Sequence, residues 1–347
     1  MNKERIVIIC PGRGSYTRET QGYLKKYTES SSDKIKYMDK ERSNAGLTTI
    51  TDLDSQPFKA SIHMKGEHAS TLIYASSLID YYSIDQTKYK VVAIIGNSMG
   101  WYSTLAFSES LDYQKAYDLI DIMGSLMKDK IIGGQIIYSI TDDNWSIDNK
   151  IMQKSIREIE KLGAQISIYL GGYLVIGAEQ KVLNKLLKSL PKNGKYPFQL
   201  PYHAAFHTPL LESISQKAKG TFSKDMFLKP QIPIIDGRGH IWSPWSTNET
   251  DLWNYTLGHQ VCESYNFSKS LSVAIKEFAP DKIVLLGPGN TLGGPIGQII
   301  CQLKWRNISS KDDFSRKQKD NPFLISMGIP HQREIISQFY ENPIISS

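Results

Sequence analysis

Five residues, Gly96-Asn97-Ser98-Met99-Gly100, carry the clearest chemical signal in the 347-residue chain. They match G-x-S-x-G, and they lie between an apolar run, Lys90 to Ile95, and a stretch with helical spacing. A serine on such a strand-to-helix turn is held in a strained backbone, so only small residues fit two positions to either side. Gly96 and Gly100 meet that requirement. The N–H of Met99 then points where an oxyanion would form, backed by the positive end of the helix dipole. The chemistry implied is nucleophilic catalysis by Ser98. A serine also needs a base. Of the seven histidines, His203 and His207 stand out, because both fall in the Pro-bounded segment Leu200 to Leu211.

The elements that must position these groups follow from the apolar patterning. Arg5 to Cys10 reads as a buried strand ending in the glycine loop Pro11-Gly12-Arg13-Gly14-Ser15. Ala69 to Tyr82 has helical spacing, Lys90 to Ile95 reads as a second strand, and residues 101–129 as one or two helices. Strand–turn–helix order of this kind implies an α/β architecture with a mainly parallel sheet. Residues 131–202 differ in texture. Strands are expected at Gln135–Ile140, Gln165–Leu170, Tyr173–Ile176 and Tyr196–Leu200, and helices at Ser146–Leu162 and Ala178–Leu190. The β-α-β-β-α-β order is that of the ferredoxin-like split unit. The expected organisation is a discontinuous α/β hydrolase-like large subdomain (1–130 and 203–305) interrupted by a small subdomain (131–202). Ile232–Ile235 and Lys282–Leu286 are further strands of the large part, and Gly287-Pro288-Gly289-Asn290 is a second glycine loop. Residues 306–347 are expected to be a polar linker and tail with one short helix near Glu334 to Tyr340.

Composition limits the alternatives. Hydrophobic residues at 40% and charged residues at 22% exclude wholesale disorder. Lys plus Arg exceed Asp plus Glu by 41 to 35, a net charge of +6 too diffuse to argue for nucleic acid. Cys10, Cys262 and Cys301 have no short spacing, which argues against a disulfide framework or a cysteine-based zinc site and for a reducing cytoplasm. No run approaches the 18 apolar residues of a membrane span, and the first apolar run is too short for a signal-peptide core. No metal-ligand cluster, P-loop or dinucleotide fingerprint is expected.

Four motifs in order resemble those of the malonyl-CoA:acyl-carrier-protein transacylases and the acyltransferase domains of polyketide synthases. Pro11-Gly12-Arg13-Gly14-Ser15 is similar to P-G-Q-G-S, and Gly96–Gly100 to G-H-S-L-G. Phe206-His207-Thr208-Pro209-Leu210-Leu211 is similar to F-H-S-P-L-M, and Gly287–Asn290 to a late G-P-G-x loop. The resemblance covers about residues 5–304. It implies a Ser98–His207 dyad acting by a ping-pong mechanism, with Ser98 attacking an acyl thioester and His207 moving the proton. It also implies an oxyanion hole from the backbone N–H groups of Arg13 and Met99. The main-chain carbonyl of Gln260, seven residues before Phe267, would orient His207. No cofactor is implied beyond the CoA or phosphopantetheine arm of the substrate. An acyl carrier protein is the implied partner, without nucleic acid or membrane.

The departures from that pattern concern the substrate. The resembling malonyl enzymes carry a carboxylate-binding arginine 25 residues after the serine, where this chain has Met123. Asn97 replaces a histidine and Trp101 a glutamate. Asn97, Trp101 and Met123 therefore make up an expected substrate pocket that is less charged or bulkier, and the simplest substrate is an uncharged acyl group such as acetyl. Arg13, in place of glutamine, is the one candidate cation that would restore carboxylate binding. Water in place of the acceptor thiol would give an acyl-carrier-protein hydrolase by the same acyl-enzyme. A conventional esterase would instead draw its base from His259 or His331, and a non-catalytic scaffold would leave Ser98 unreactive. Lys181, Lys185 and Lys188 share one helical face, with Lys192 and Lys195 beyond it, and offer a basic surface to an acidic carrier protein.

Overall fold

A computed structural model describes residues 2–27, 31–128 and 131–338. Strand β1 (Glu4–Cys10) is apolar from Ile6 to Cys10, and all five residues are buried. A strand buried on both faces belongs at the centre of a parallel sheet. It pairs in parallel with β2 (Tyr89–Gly96) on one side and β10 (Lys282–Leu285) on the other. The six-stranded sheet runs β11-β10-β1-β2-β7-β8, with β7 (Ile234–Ile235), β8 (Ile241–Trp242) and β11 (Leu324–Ser326). Only the β7–β8 hairpin, turned at Asp236–Gly239, is antiparallel. The expected helix of residues 69–82 runs Gly66–Ser83. The expected one or two helices of 101–129 are two, Gly100–Phe107 and Tyr113–Ser125, the second capped by the Asp112 carboxylate on the amides of Gln114 and Lys115. Residues 129 and 130 lie outside the described residues.

The second sheet runs β6-β3-β5-β4-β9, with β3 (Gly134–Ser139), β4 (Gln165–Leu170), β5 (Tyr173–Ala178), β6 (Phe198–Leu200) and β9 (Tyr265–Asn266). Helices Asn149–Lys161 and Gln180–Ser189 cover it and enclose a core of their own. Its first four strands have the order of the ferredoxin-like unit. The fifth does not come from 131–202. Tyr265–Asn266 pairs in parallel with β4, so the large part of the chain contributes an edge to the small sheet. Two residues between Gln260 and the helix Phe267–Phe278 gave no strand signal of their own.

The segment after residue 306 corrects an expectation. It is not a linker and tail as far as residue 338. It forms a helix, Lys311–Asp320, then β11 in the main sheet, then a helix, Pro330–Ile336. The polar run 307–321 hid this, because only its far side contacts the core: Phe314 packs edge-on against Phe323 and Trp145. Arg333 ties the segment down through a buried ion pair with Asp80, whose carboxylate also accepts from Tyr23 and the Gly287 amide. The last part of the helix expected near 334–340 lies outside the described residues. Among the described residues no helix is long and apolar enough to cross a membrane.

Candidate active site

The elbow forms where β2 ends. Ser98 has φ of 55°, a left-handed backbone costing roughly 1–2 kcal/mol for a residue with a side chain. Two glycines make it possible. A Cβ on Gly96 would collide with the Gly100 backbone, and one on Gly100 with the Cys10 carbonyl. The Asn97 amide donates to the Cys10 carbonyl at 3.0 Å, which fixes the elbow against the first glycine loop. The Tyr265 hydroxyl donates to the Gly96 carbonyl at 2.6 Å and braces it from the other side.

His207 is the histidine that meets the serine. Its Nε2 lies 2.8 Å from Ser98 Oγ, and its Nδ1 2.6 Å from the main-chain oxygen of Gln260. A carbonyl oxygen can only accept, so Nδ1 carries the proton and Nε2 presents a lone pair to the serine hydroxyl. The short helix Gln260–Cys262 ends just there. Its last carbonyls lack intrahelical partners. The Gln260 oxygen takes the ring N–H, and the Val261 oxygen takes the backbone N–H of His207 at 3.0 Å. One frayed helix end thus fixes both the backbone and the tautomer of His207. Burial pushes the imidazole pKa down to about 4, against the raising effect of the Gln260 carbonyl, so the ring is neutral near pH 7.

The Gln260 side chain closes a ring of contacts. Its Nε2 donates to the Ser98 carbonyl at 3.0 Å, and its Oε1 accepts from the Tyr102 hydroxyl at 3.0 Å. This role of the side chain was not foreseen, nor were Tyr102 and Tyr265. The only signal was positional, since Tyr102 lies one turn along the helix from Met99.

A cavity opens at Ser98, with apolar walls from Met99, Tyr102, Ile120, Met123, Phe206 and Val261. Arg13, Ser98, His207 and Gln260 also reach it. Met123 is therefore where the missing arginine was expected. Asn97 and Trp101 are not, which corrects their expected part in the pocket. Met99 and Tyr102 share the cavity face of their helix, and Trp101 lies about 100° round it. Its indole donates to Thr256 Oγ1 at 3.0 Å and packs edge-on against Tyr255. Asn97 turns back toward Gly12 and keeps a buried Oδ1 without a hydrogen bond.

Arg13 lines the cavity, but its Nη2 donates to the carbonyls of Met64 and Tyr202 at 2.9 and 2.8 Å. Burial lowers its pKa to about 10, still cationic at neutral pH, with Glu67 acting in the opposite sense. His203 bonds Gln135 Oε1 at 2.9 Å and does not reach Ser98. His259 stacks on Tyr255, and His331 lies exposed at the start of the helix Pro330–Ile336. Neither contacts the serine, so the conventional esterase order has no geometric support.

The arrangement can deprotonate a serine, hold a neutral base in one tautomer and bind an apolar group beside both. Those are the parts of a serine acyl-transfer site on an α/β core. The comparisons agree with that class. No family model matches the chain. A highly reducing polyketide synthase of Cordyceps militaris is 23% identical over 262 residues, covering 70% of this chain and 10% of that protein. A malonyl CoA-acyl carrier protein transacylase of Buchnera aphidicola is 24% identical over 143 residues, covering 41% of this chain and 45% of that one. The chain thus spans less than half the length of these two curated relatives. The crystal structure of an acyl-carrier-protein S-malonyltransferase from Burkholderia pseudomallei has the same fold, with a TM-score of 0.73 at 15% identity over 95% of this chain and 98% of that one. The resemblance read from the four motifs is borne out: the chain has the transacylase fold, and its sequence relatives include transacylases.

Proposed function

We propose that this chain is an acyltransferase that moves an uncharged acyl group between CoA or carrier-protein thioesters through an acyl-Ser98 intermediate. One observation carries the reading. The Ser98–His207–Gln260 relay opens onto a cavity whose wall at position 123 is methionine.

The steps follow from the geometry. Ser98 Oγ attacks the thioester carbonyl while its proton passes to His207 Nε2. The oxyanion forms toward the amides of Met99 and Arg13, beside the N-terminus of the helix Gly100–Phe107. The C–S bond breaks, and the leaving sulfur takes the proton from His207. A second thiol then reverses the sequence and carries the acyl group away. A carbonyl in place of the usual aspartate keeps the tautomer without adding a buried negative charge, so the imidazolium is stabilised only by the helix end.

Malonyl is the disfavoured substrate. A buried carboxylate without its cation costs ~3–5 kcal/mol, at ~1.4 kcal/mol per factor of ten. We read Arg13 as anchored rather than as a replacement for that arginine, since its Nη2 donates to two main-chain carbonyls that fix where the guanidinium stands. The partner is an acyl carrier protein, as the relatives' names suggest. Lys181, Lys185 and Lys188 stand exposed on the helix Gln180–Ser189, and charge complementarity with an acidic carrier protein favours that face. Reversing Lys185 and Lys188 to Glu is expected to raise KM for the carrier protein and leave KM for small thioesters unchanged. An equal effect on both would remove this docking face.

The test supplies acetyl- and malonyl-charged carrier protein and measures acyl transfer to a second carrier alongside free acid. Transfer of acetyl in excess of malonyl supports the reading. Free acid without transfer would make the chain a thioester hydrolase that clears stalled acyl groups.

A further inference from the structure

Two cavities meet at Arg13. The one at Ser98 leaves about 40 Å3 open to water-sized groups. A single water needs roughly 10–15 Å3 on that measure, so the space suits an acyl group of about two to four carbons. The other offers about 200 Å3 beyond Arg13, with Gly66, Met127 and Ile131 on its apolar side and the charged Lys65, Glu67 and Lys128 around them. Arg13 and Gly124 line both.

The wall between them has two parts. One is backbone: a Cβ on Gly66 would collide with the Gly124 carbonyl, so the helices Gly66–Ser83 and Tyr113–Ser125 touch main chain to main chain. The other is the Arg13 side chain, whose Nη1 comes within 3.7 Å of where that Gly66 Cβ would stand. Its guanidinium lies 5.7 Å from the Phe206 ring centre and is pinned by the carbonyls of Met64 and Tyr202. Nε is buried without a hydrogen-bond partner. The backbone part cannot open without separating two helices, whereas the side chain is held at its tip alone.

We propose that Arg13 sets the upper limit on acyl length, closing the acyl cavity against a second cavity that a longer chain would otherwise enter. The proposal rests on the acyl-Ser98 reading. It makes Arg13 a specificity-determining side chain, separate from the oxyanion role of its backbone amide. An unbranched alkyl chain would have to displace a pinned cation to pass, and it would meet Met127 and the apolar part of that lining only once the cation is gone.

The experiment measures acylation of Ser98 by two-, four-, six- and eight-carbon acyl-CoA thioesters, read by intact-protein mass. Wild type is compared with Arg13→Ala, with Arg13→Gln (the residue of the resembling transacylases at this loop) and with Arg13→Ala combined with Met127→Trp. Wild type is expected to lose acylation beyond four carbons. Both single variants are expected to raise the eight-carbon to two-carbon ratio by about tenfold or more, the scale on which a pocket discriminates added methylenes. Met127→Trp, which fills the second cavity, is expected to lower the ratio again. An unchanged ratio in Arg13→Gln, with acylation retained, would overturn the proposal. A fall at every length in both single variants would overturn it too, since the side chain would then serve the loop rather than chain length. If no thioester labels wild-type Ser98, the acyl-enzyme reading fails and this one fails with it.

Discussion

At the scale of residues, the site depends on a histidine kept neutral. His207 is buried with its Nδ1 proton given to the Gln260 carbonyl, and its pKa is driven down to about 4. The base form is therefore complete at neutral pH and is lost only as the pH falls through that value. The expected profile of acylation kcat/KM is flat from pH 7 to about pH 5, then falls by about tenfold per unit below about pH 4. A midpoint near 6.5 in the free enzyme would mean that the imidazole is solvated and differently placed. Ser98 was legible in the sequence because the elbow motif has structural consequences, whereas the Pro-bounded segment offered both His203 and His207 and only the family resemblance singled out His207. Asn97 and Trp101 were misplaced because motif register gives neighbours along the chain, not the direction a helical side chain takes. Only one of the three substituted positions, Met123, faces the cavity.

At the scale of elements, Gln260 works through the end of its helix as much as through its own chemistry. The carbonyls of Gln260 and Val261 hold His207, and the Gln260 amide holds the Ser98 carbonyl under the Tyr102 hydroxyl. Tyr102→Phe leaves a buried Oε1 without its donor, a loss of ~1–3 kcal/mol. Because the hydroxyl acts by positioning, kcat for acylation should fall while KM for the thioester holds. A rise in KM alone would place Tyr102 in substrate binding instead. This network could not be read from the sequence, since it joins residues 98, 102 and 260 through contacts that only the packed sheet and helices bring about. The α/β pattern and the split unit were legible for the opposite reason. Buried parallel strands such as Ile6 to Cys10 are continuous apolar runs, and the Gly171-Gly172 turn marks its hairpin.

At the scale of the whole molecule, the chain returns to its main sheet after an apparently polar ending. Leu324–Ser326 sits in a buried run of only five residues, Phe323–Met327, between Pro322 and Gly328 and just after the charged stretch 311–320, which left its strand signal weak. Its attachment is electrostatic as well as apolar, since Arg333 pairs with Asp80 beside Tyr23 and the second glycine loop. Arg333→Ala leaves the Asp80 carboxylate buried and unpaired, so a loss of ~3–5 kcal/mol is expected in urea unfolding. Asp80→Asn with Arg333→Met should recover much of it, because that pair leaves no isolated charge. Equal stability of wild type and Arg333→Ala would show that the C-terminal segment is held by its apolar contacts alone.

The central claim is acyl transfer through Ser98 into a pocket that has methionine at position 123, where the resembling malonyl enzymes carry their arginine. The most direct measurement is single-turnover acylation of the protein by acetyl-CoA and malonyl-CoA, in wild type, Ser98→Ala and Met123→Arg. The account predicts acetyl on wild-type Ser98, malonyl slower by about a hundredfold or more, neither label in Ser98→Ala, and a reversal toward malonyl in Met123→Arg. Equal or faster labelling of wild type by malonyl-CoA would contradict it.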